Sequence, residues 1–239
     1  MRLLVTRPQP EAGRSAAALA ALGHEALVAP LLEAEFLLPP AQLRQSAALL
    51  LTSINAVRAV AGWPPEWNLR DVRIFAVGDA TARAARAAGF ADVISAAGDG
   101  FALAALVREQ LLPGGAPLIH PTVAAPARDL AAILAGDGFT VERIEAYRMV
   151  AARTLPGTVA LALAQGDIDG VLLYSRRSAA VFAQLTASLW PCLAALPLYC
   201  LSAEVAAAAR IGRAVIAATP DEAALLALLP EGTSAAGIH

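Results

Sequence analysis

Two α/β units, each built on a doubly wound parallel sheet, are the fold class that three observations on this 239-residue chain predict. Short apolar runs bounded by turn residues alternate with longer alanine-rich stretches, the pattern of strands and their covering helices. Those runs are continuous and do not alternate with polar residues, as in strands buried on both faces. The same runs also recur along the chain, and its length exceeds that of a usual single domain.

The recurrence is specific. Leu3-Leu4-Val5 resembles Leu118-Ile119-His120, and Gly23, which closes the helix that follows, resembles Gly138; each pair is separated by 115 positions. Leu49-Leu50-Leu51-Thr52-Ser53 with Ala56-Val57 matches Val171-Leu172-Leu173-Tyr174-Ser175 with Ala180-Val181. Further on, Ile74-Phe75-Ala76-Val77-Gly78 matches Leu198-Tyr199-Cys200-Leu201-Ser202, and Val93-Ile94 matches Val215-Ile216. The predicted strands are 2–6, 25–29, 47–52, 72–77, 92–95, 117–120, 140–147, 170–174, 197–201 and 214–217. The order of the copies divides them into a discontinuous first lobe, residues 1–36 plus 149–239, and a second lobe, residues 37–148. Both lobes are expected to be flavodoxin-like. A two-stranded linker near Leu32–Leu38 and Tyr147–Thr154 would join them, a hinge suited to a cleft that opens and closes.

Composition narrows the function classes. With 58% hydrophobic and 16% charged residues the chain is expected to be compact and globular. A net charge of -2 gives no broad basic field, so no nucleic-acid partner is expected. All 18 basic residues are arginine, and the absence of lysine excludes Schiff-base catalysis and a P-loop. Cys192, Cys200, His24, His120 and His239 show no metal-ligand spacing; the thiols read as reduced and the protein as cytoplasmic. Ser178 to Ala203 carries no charge, but Pro191 and Pro197 interrupt it, and a helix followed by a strand is the better reading than a membrane span. The opening residues have too short an apolar stretch for a signal peptide.

Ligands of open α/β sheets bind at the carboxyl ends of the strands. Those positions hold Thr6-Arg7, Thr52-Ser53, Gly78-Asp79-Ala80-Thr81, Pro121-Thr122, Ser175-Arg176 and Ser202, each expected just before a helix. Helix N-termini present N–H donors and partial positive charge to carboxylates or phosphates. Taken singly, each hydroxyl reads equally as a plain N-cap. Taken together, they suit a ligand with several anionic groups. No G-x-G-x-x-G follows a strand, Gly98-Asp99-Gly100 reads as the turn into a helix near Phe101, and His24 and His120 read as surface or strand residues. Tyr147 is either a packed aromatic at the junction or a phenol facing the expected cleft as a proton donor.

Leu4-Val5-Thr6-Arg7-Pro8, Leu51-Thr52-Ser53-Ile54-Asn55-Ala56-Val57, Ala76-Val77-Gly78-Asp79-Ala80-Thr81-Ala82 and Ala146-Tyr147-Arg148, in this order, resemble the uroporphyrinogen-III synthase family over the whole chain. The resemblance implies a cofactor-free, metal-free cyclisation of the linear tetrapyrrole hydroxymethylbilane with inversion of its D ring. It assigns Tyr147 to catalysis. It assigns Thr6, Arg7, Thr52, Ser53, Asn55, Gly78, Asp79, Thr81, Ser175, Arg176 and Ser202 to the carboxylates of the substrate. A monomer is expected, with transient contact to the preceding pathway enzyme left open. Departures from the family pattern fall at Ser202 and Val205, where a glycine and a threonine are usual, and at Pro121-Thr122, where Arg-Gly is usual; Arg128 still stands where an arginine is expected. The lost glycine and threonine near Ser202 are the best support for an alternative from another class, a non-catalytic two-lobed binding module for an anionic metabolite or a degenerate synthase paralogue, whereas Tyr147 and the intact Thr52-Ser53 and Gly78-Thr81 loops count against it.

Overall fold

A computed structural model describes residues 1–38, 46–126 and 128–230. His239 lies outside the described residues. In chain order the elements begin with β1 (Arg2–Val5), α1 (Glu11–Ala21), β2 (Glu25–Val28), β3 (Leu32–Phe36), β4 (Ala48–Leu51), α2 (Ile54–Ala61), β5 (Ile74–Ala76), α3 (Asp79–Ala87) and β6 (Val93–Ser95). They continue with α4 (Gly100–Gln110), β7 (Leu118–Thr122), α5 (Leu130–Ala135), β8 (Val141–Glu145), β9 (Tyr147–Ala151), α6 (Gly157–Gln165) and β10 (Gly170–Leu173). The last are α7 (Arg176–Leu185), α8 (Trp190–Leu193), β11 (Pro197–Cys200), α9 (Ala203–Ala209), β12 (Arg213–Ile216) and α10 (Glu222–Leu226).

The chain forms two compact units, Met1–Glu33 with Met149–His239, and Ala34–Arg148. The first has a five-stranded parallel sheet in the order β12-β11-β10-β1-β2; the second has one in the order β6-β5-β4-β7-β8. These orders superimpose the repeats seen in the sequence: β1 on β7, β2 on β8, β10 on β4, β11 on β5 and β12 on β6. Counted along its own chain, the first sheet reads 2-1-3-4-5 and the second 3-2-1-4-5, the two common doubly wound orders. One spatial arrangement thus arises from two orders of entry. The topological switch points fall between β1 and β10 and between β4 and β7.

Glycine marks the repeat as clearly as the strands do. Gly23 and Gly138 have φ of 77° and 80°, the left-handed region open to glycine. In both, the residue that follows bonds five residues back, His24 N–H to the Leu19 carbonyl and Phe139 N–H to the Leu134 carbonyl. This is a Schellman stop, which ends each helix and aims the chain at the next strand.

Each sheet is covered on both faces. In the first unit α6 to α9 bury Val159, Leu163, Phe182, Leu193 and Val205 against Leu4, Val171, Leu173 and Leu198, while Leu19 of α1 and Leu225 of α10 pack on Leu3, Val5 and Leu172. In the second, Leu103 and Val107 of α4 and Leu130 and Leu134 of α5 pack on Ala48, Leu50, Phe75 and Leu118. Cys192 is exposed and Cys200 buried, both as free thiols. The uncharged stretch from Ser178 resolves into α7, α8 and β11, and no helix among the described residues is long and apolar enough to cross a membrane.

Two expectations need correction. The single strand predicted over 140–147 breaks at Ala146, because the backbone changes partner there: Ala146 N–H donates to the Thr122 carbonyl, and its own carbonyl accepts from Leu37 N–H. Tyr147 therefore opens β9, which pairs with β3 in a two-stranded sheet. Two of the six expected helix starts also fail. Helix α1 begins at Glu11 with Pro10 at the cap, and Pro121-Thr122 finishes β7, eight residues before α5 and its Asp129 cap.

Gly212 has φ of 70°, and a Cβ there would lie 2.8 Å from the Leu196 carbonyl oxygen and from Leu198 Cγ. Backbone cannot move aside cheaply. Gly212→Ala is expected to cost about 1–3 kcal/mol, seen as a lower urea midpoint; an unchanged midpoint would contradict the close packing of β11 and β12.

Candidate active site

Helix α2 starts at the switch point of the second unit, directly after β4. Ser53, extended at φ -156°, caps it by accepting the Ala56 N–H at 3.0 Å. The same Oγ lies 2.8 Å from the Tyr147 hydroxyl. Tyr147 is 7% exposed, so its ring is packed while its oxygen meets the cap. The ring is packed, as one of the two readings of this tyrosine expects, and its hydroxyl is bonded to Ser53. Thr52 turns the other way, with Oγ1 3.2 Å from His120 Nε2 across the β4–β7 switch point.

A serine oxygen that accepts a helix N–H still has its own proton to give. Given to Tyr147, that proton leaves the phenolic O–H free to donate outward. The chain from Ala56 N–H through Ser53 to Tyr147 then runs in one direction, and each bond polarises the next. Asn55 lies in the first turn of α2, half-buried. Gly78 occupies the cap position of α3 with extended backbone, and a Cβ there would come no nearer than 3.9 Å to the Gly98 oxygen. Bare backbone thus fronts the N–H groups of α3. Exposed Asp79 accepts from Ser95 Oγ at 2.7 Å, and Thr81 is buried at 5% exposure.

His120, read from sequence as a surface or strand residue, is in β7 and 2% exposed. Burial first, then the Arg143 guanidinium, push its imidazole down to about 4, against an opposing pull from Asp129. The folded value lies below the ordinary 6.5. The unfolded chain therefore takes up the extra proton first as pH falls. The stability carried by the neutral ring is full above pH 6.5, declines from there to about 4, and is lost below. The decline should reach up to about 3 kcal/mol. Urea midpoints of wild type and His120→Gln, compared from pH 7 to 4, should converge as the wild type loses this term; parallel curves would contradict it.

The first unit places its predicted residues differently. Thr6, fully buried, donates its hydroxyl to the Leu172 carbonyl at 2.8 Å across the β1–β10 switch point. Arg7 pairs with Glu222 at 3.0 Å, bonds Ser15 Oγ at 3.2 Å, and stacks its guanidinium 4.2 Å from the centroid of the Tyr174 ring. Ser15 and Tyr174 both also donate to Glu222 Oε1. None of Ser15, Tyr174 and Glu222 stands out in the sequence. Ser175 caps α7 through the Ser178 N–H, with exposed Arg176 beside it, whereas Ser202 makes no cap bond and gives its hydroxyl to Glu204 at 2.6 Å. The Ser202 hydroxyl is therefore engaged within its own loop.

The chain matches the family model described as uroporphyrinogen-III synthase HemD over residues 13–227. No curated protein matches it. The crystal structure of uroporphyrinogen-III synthetase from Helicobacter pylori is similar in fold at a TM-score of 0.61 and 18% identity, covering 95% of this chain and 98% of that one. A mutant uroporphyrinogen III synthase from Thermus thermophilus aligns over 95% and 96% of the two chains at 19% identity and a TM-score of 0.46. With a family match that spans nearly the whole sequence, the chain belongs to the uroporphyrinogen-III synthase family.

Proposed function

We propose that the chain converts hydroxymethylbilane into uroporphyrinogen III, a cyclising loss of water, and that Tyr147 assists the departure of the terminal hydroxyl. The observation that carries the reaction is the family match over residues 13–227. The hydrogen bond between Ser53 and Tyr147 supports the role of the phenol.

The route implied by the family begins with the terminal hydroxyl leaving as water, to give an azafulvene. Ring D then attacks through its substituted carbon to form a spiro intermediate, which fragments and recloses with the ring reversed. A hydrogen bond from Tyr147 to the departing oxygen lowers the barrier to the first step. The proton lent there is restored when the newly bonded pyrrole carbon sheds its own at ring closure. Holding the chain ends in the folded geometry supplies the selectivity, since unassisted closure gives the unreversed isomer. Thr52, Asn55 and the N–H groups of α3 behind Gly78, Asp79 and Thr81 are the groups we assign to substrate carboxylates in the second unit, while Ser53 gives its one proton to Tyr147. Arg176 and the N–H groups of α7 behind its cap Ser175 are those we assign in the first. Thr6, Arg7 and Ser202, each engaged with another group of the protein, have supporting parts in this reading. Cytoplasmic location and a monomeric working form complete it.

A second reading, a binding module without turnover, draws on the self-engaged Arg7 and Ser202. Freshly made hydroxymethylbilane separates the two. Added protein is expected to yield the type III isomer after oxidation and chromatography; type I product alone would sink the enzyme reading and leave the module.

A further inference from the structure

We propose that His120 is a positioning residue for Thr52, its Nε2–H holding the threonine hydroxyl as a donor toward a carboxylate of the substrate; this rests on the reading above. Thr52 follows β4, His120 is the third residue of β7, and their polar atoms meet at 3.2 Å across the switch point. A hydroxyl has one proton to give. If Thr52 gives it to an unprotonated Nε2, only oxygen lone pairs remain for the ligand, and these repel a carboxylate. If the ring instead carries its proton on Nε2, the ring donates to Thr52 and the hydroxyl proton is free.

The ring holds a single N–H at ordinary pH, so the tautomer decides which way the pair points. Arg143, in register with His120 on the adjacent β8, and Asp129 at the start of α5 are the charged groups that bear on it; burial, helped by Arg143, outweighs Asp129 and keeps the ring neutral. The repeat puts Val5 and Tyr174 at the matching positions of the first unit. The pair is therefore a feature of the second unit and its switch point, and no product of the shared fold.

Two measurements test the inference. Nitrogen-15 spectra of histidine-labelled wild-type protein at neutral pH report the tautomer directly. A protonated Nε2 is expected, and a protonated Nδ1 with bare Nε2 would overturn the proposal. In steady-state kinetics of type III formation, His120→Leu is expected to raise KM about tenfold with kcat within about twofold, the loss of one hydrogen bond to a charged group. His120→Gln, which keeps a side-chain N–H near the Nε2 position, should bring KM back to within about threefold of wild type. Equal rises in KM for both variants, or a fall in kcat with KM unchanged, would overturn it. The spectrum needs no turnover. A wild type that makes no type III isomer thus counts against the enzymatic reading, while a bare Nε2 in an active wild type counts against His120 alone.

Discussion

Tyr147→Phe is expected to lower kcat for type III formation by about 100-fold, at the lower end of what general-acid assistance contributes, with KM close to unchanged. The substitution removes one oxygen and nothing else. The ring stays where it is, packed at 7% exposure, and Ser53 keeps the Ala56 N–H that makes it the cap of α2. The fold should therefore lose only about 1 kcal/mol, the net worth of a single hydrogen bond. Activity should not vanish, because the hydroxyl of hydroxymethylbilane also departs unassisted and the remaining contacts still hold the chain ends. Stopped-flow or quenched assays against wild type give the number, and an unchanged kcat would remove Tyr147 from the mechanism.

Phe182→Ala carries the largest expected cost in stability. Phe182 is fully buried on α7, in the cluster with Leu173, Leu193, Leu198 and Val205 that joins the helix layer to the first sheet. Truncation loses the transfer energy of the ring and leaves a cavity that helices anchored on several strands cannot collapse to fill. The expected loss is about 3–5 kcal/mol. Urea titration followed by circular dichroism measures it; a change under 1 kcal/mol would mean that the layer repacks freely. Since α7 also carries Ser175 and Arg176 at its start, this variant should lose type III formation at lower temperature than wild type does.

What the amino-acid order reveals, and what it hides, follows from the range of the interactions. Leu49-Leu50-Leu51 and Val171-Leu172-Leu173 declare themselves as central strands because residues buried on both faces must be apolar in succession. Gly23 and Gly138 declare themselves because helix stops of this kind need a left-handed residue. The break at Ala146 is silent, since nothing local in Ile144-Glu145-Ala146-Tyr147 records that the strand changes partner there. Thr6 and Arg7 look like open donors in sequence. Their partners, the Leu172 carbonyl and Glu222, lie 166 and 215 positions away, and no local pattern encodes pairings at that distance. His120 is hidden for the same reason: it reads as a surface or strand residue until the adjacent strand β4, whose end lies 68 positions back along the chain, places Thr52 against it. Ser53 was legible as a cap, but its second partner, 94 positions on, was not.

The proposed mechanism requires Ser53 and Tyr147 to act as one donor set by the start of α2. A double-mutant cycle on the initial rate of type III formation tests it most directly. Ser53→Ala removes the oxygen that orients the phenol, at a further cost of about 1 kcal/mol in helix capping. Its rate should fall nearly as far as that of Tyr147→Phe, and the double variant should be no slower than Tyr147→Phe alone, as for residues that work as a unit. Independent effects, multiplying in the double variant, would contradict the account.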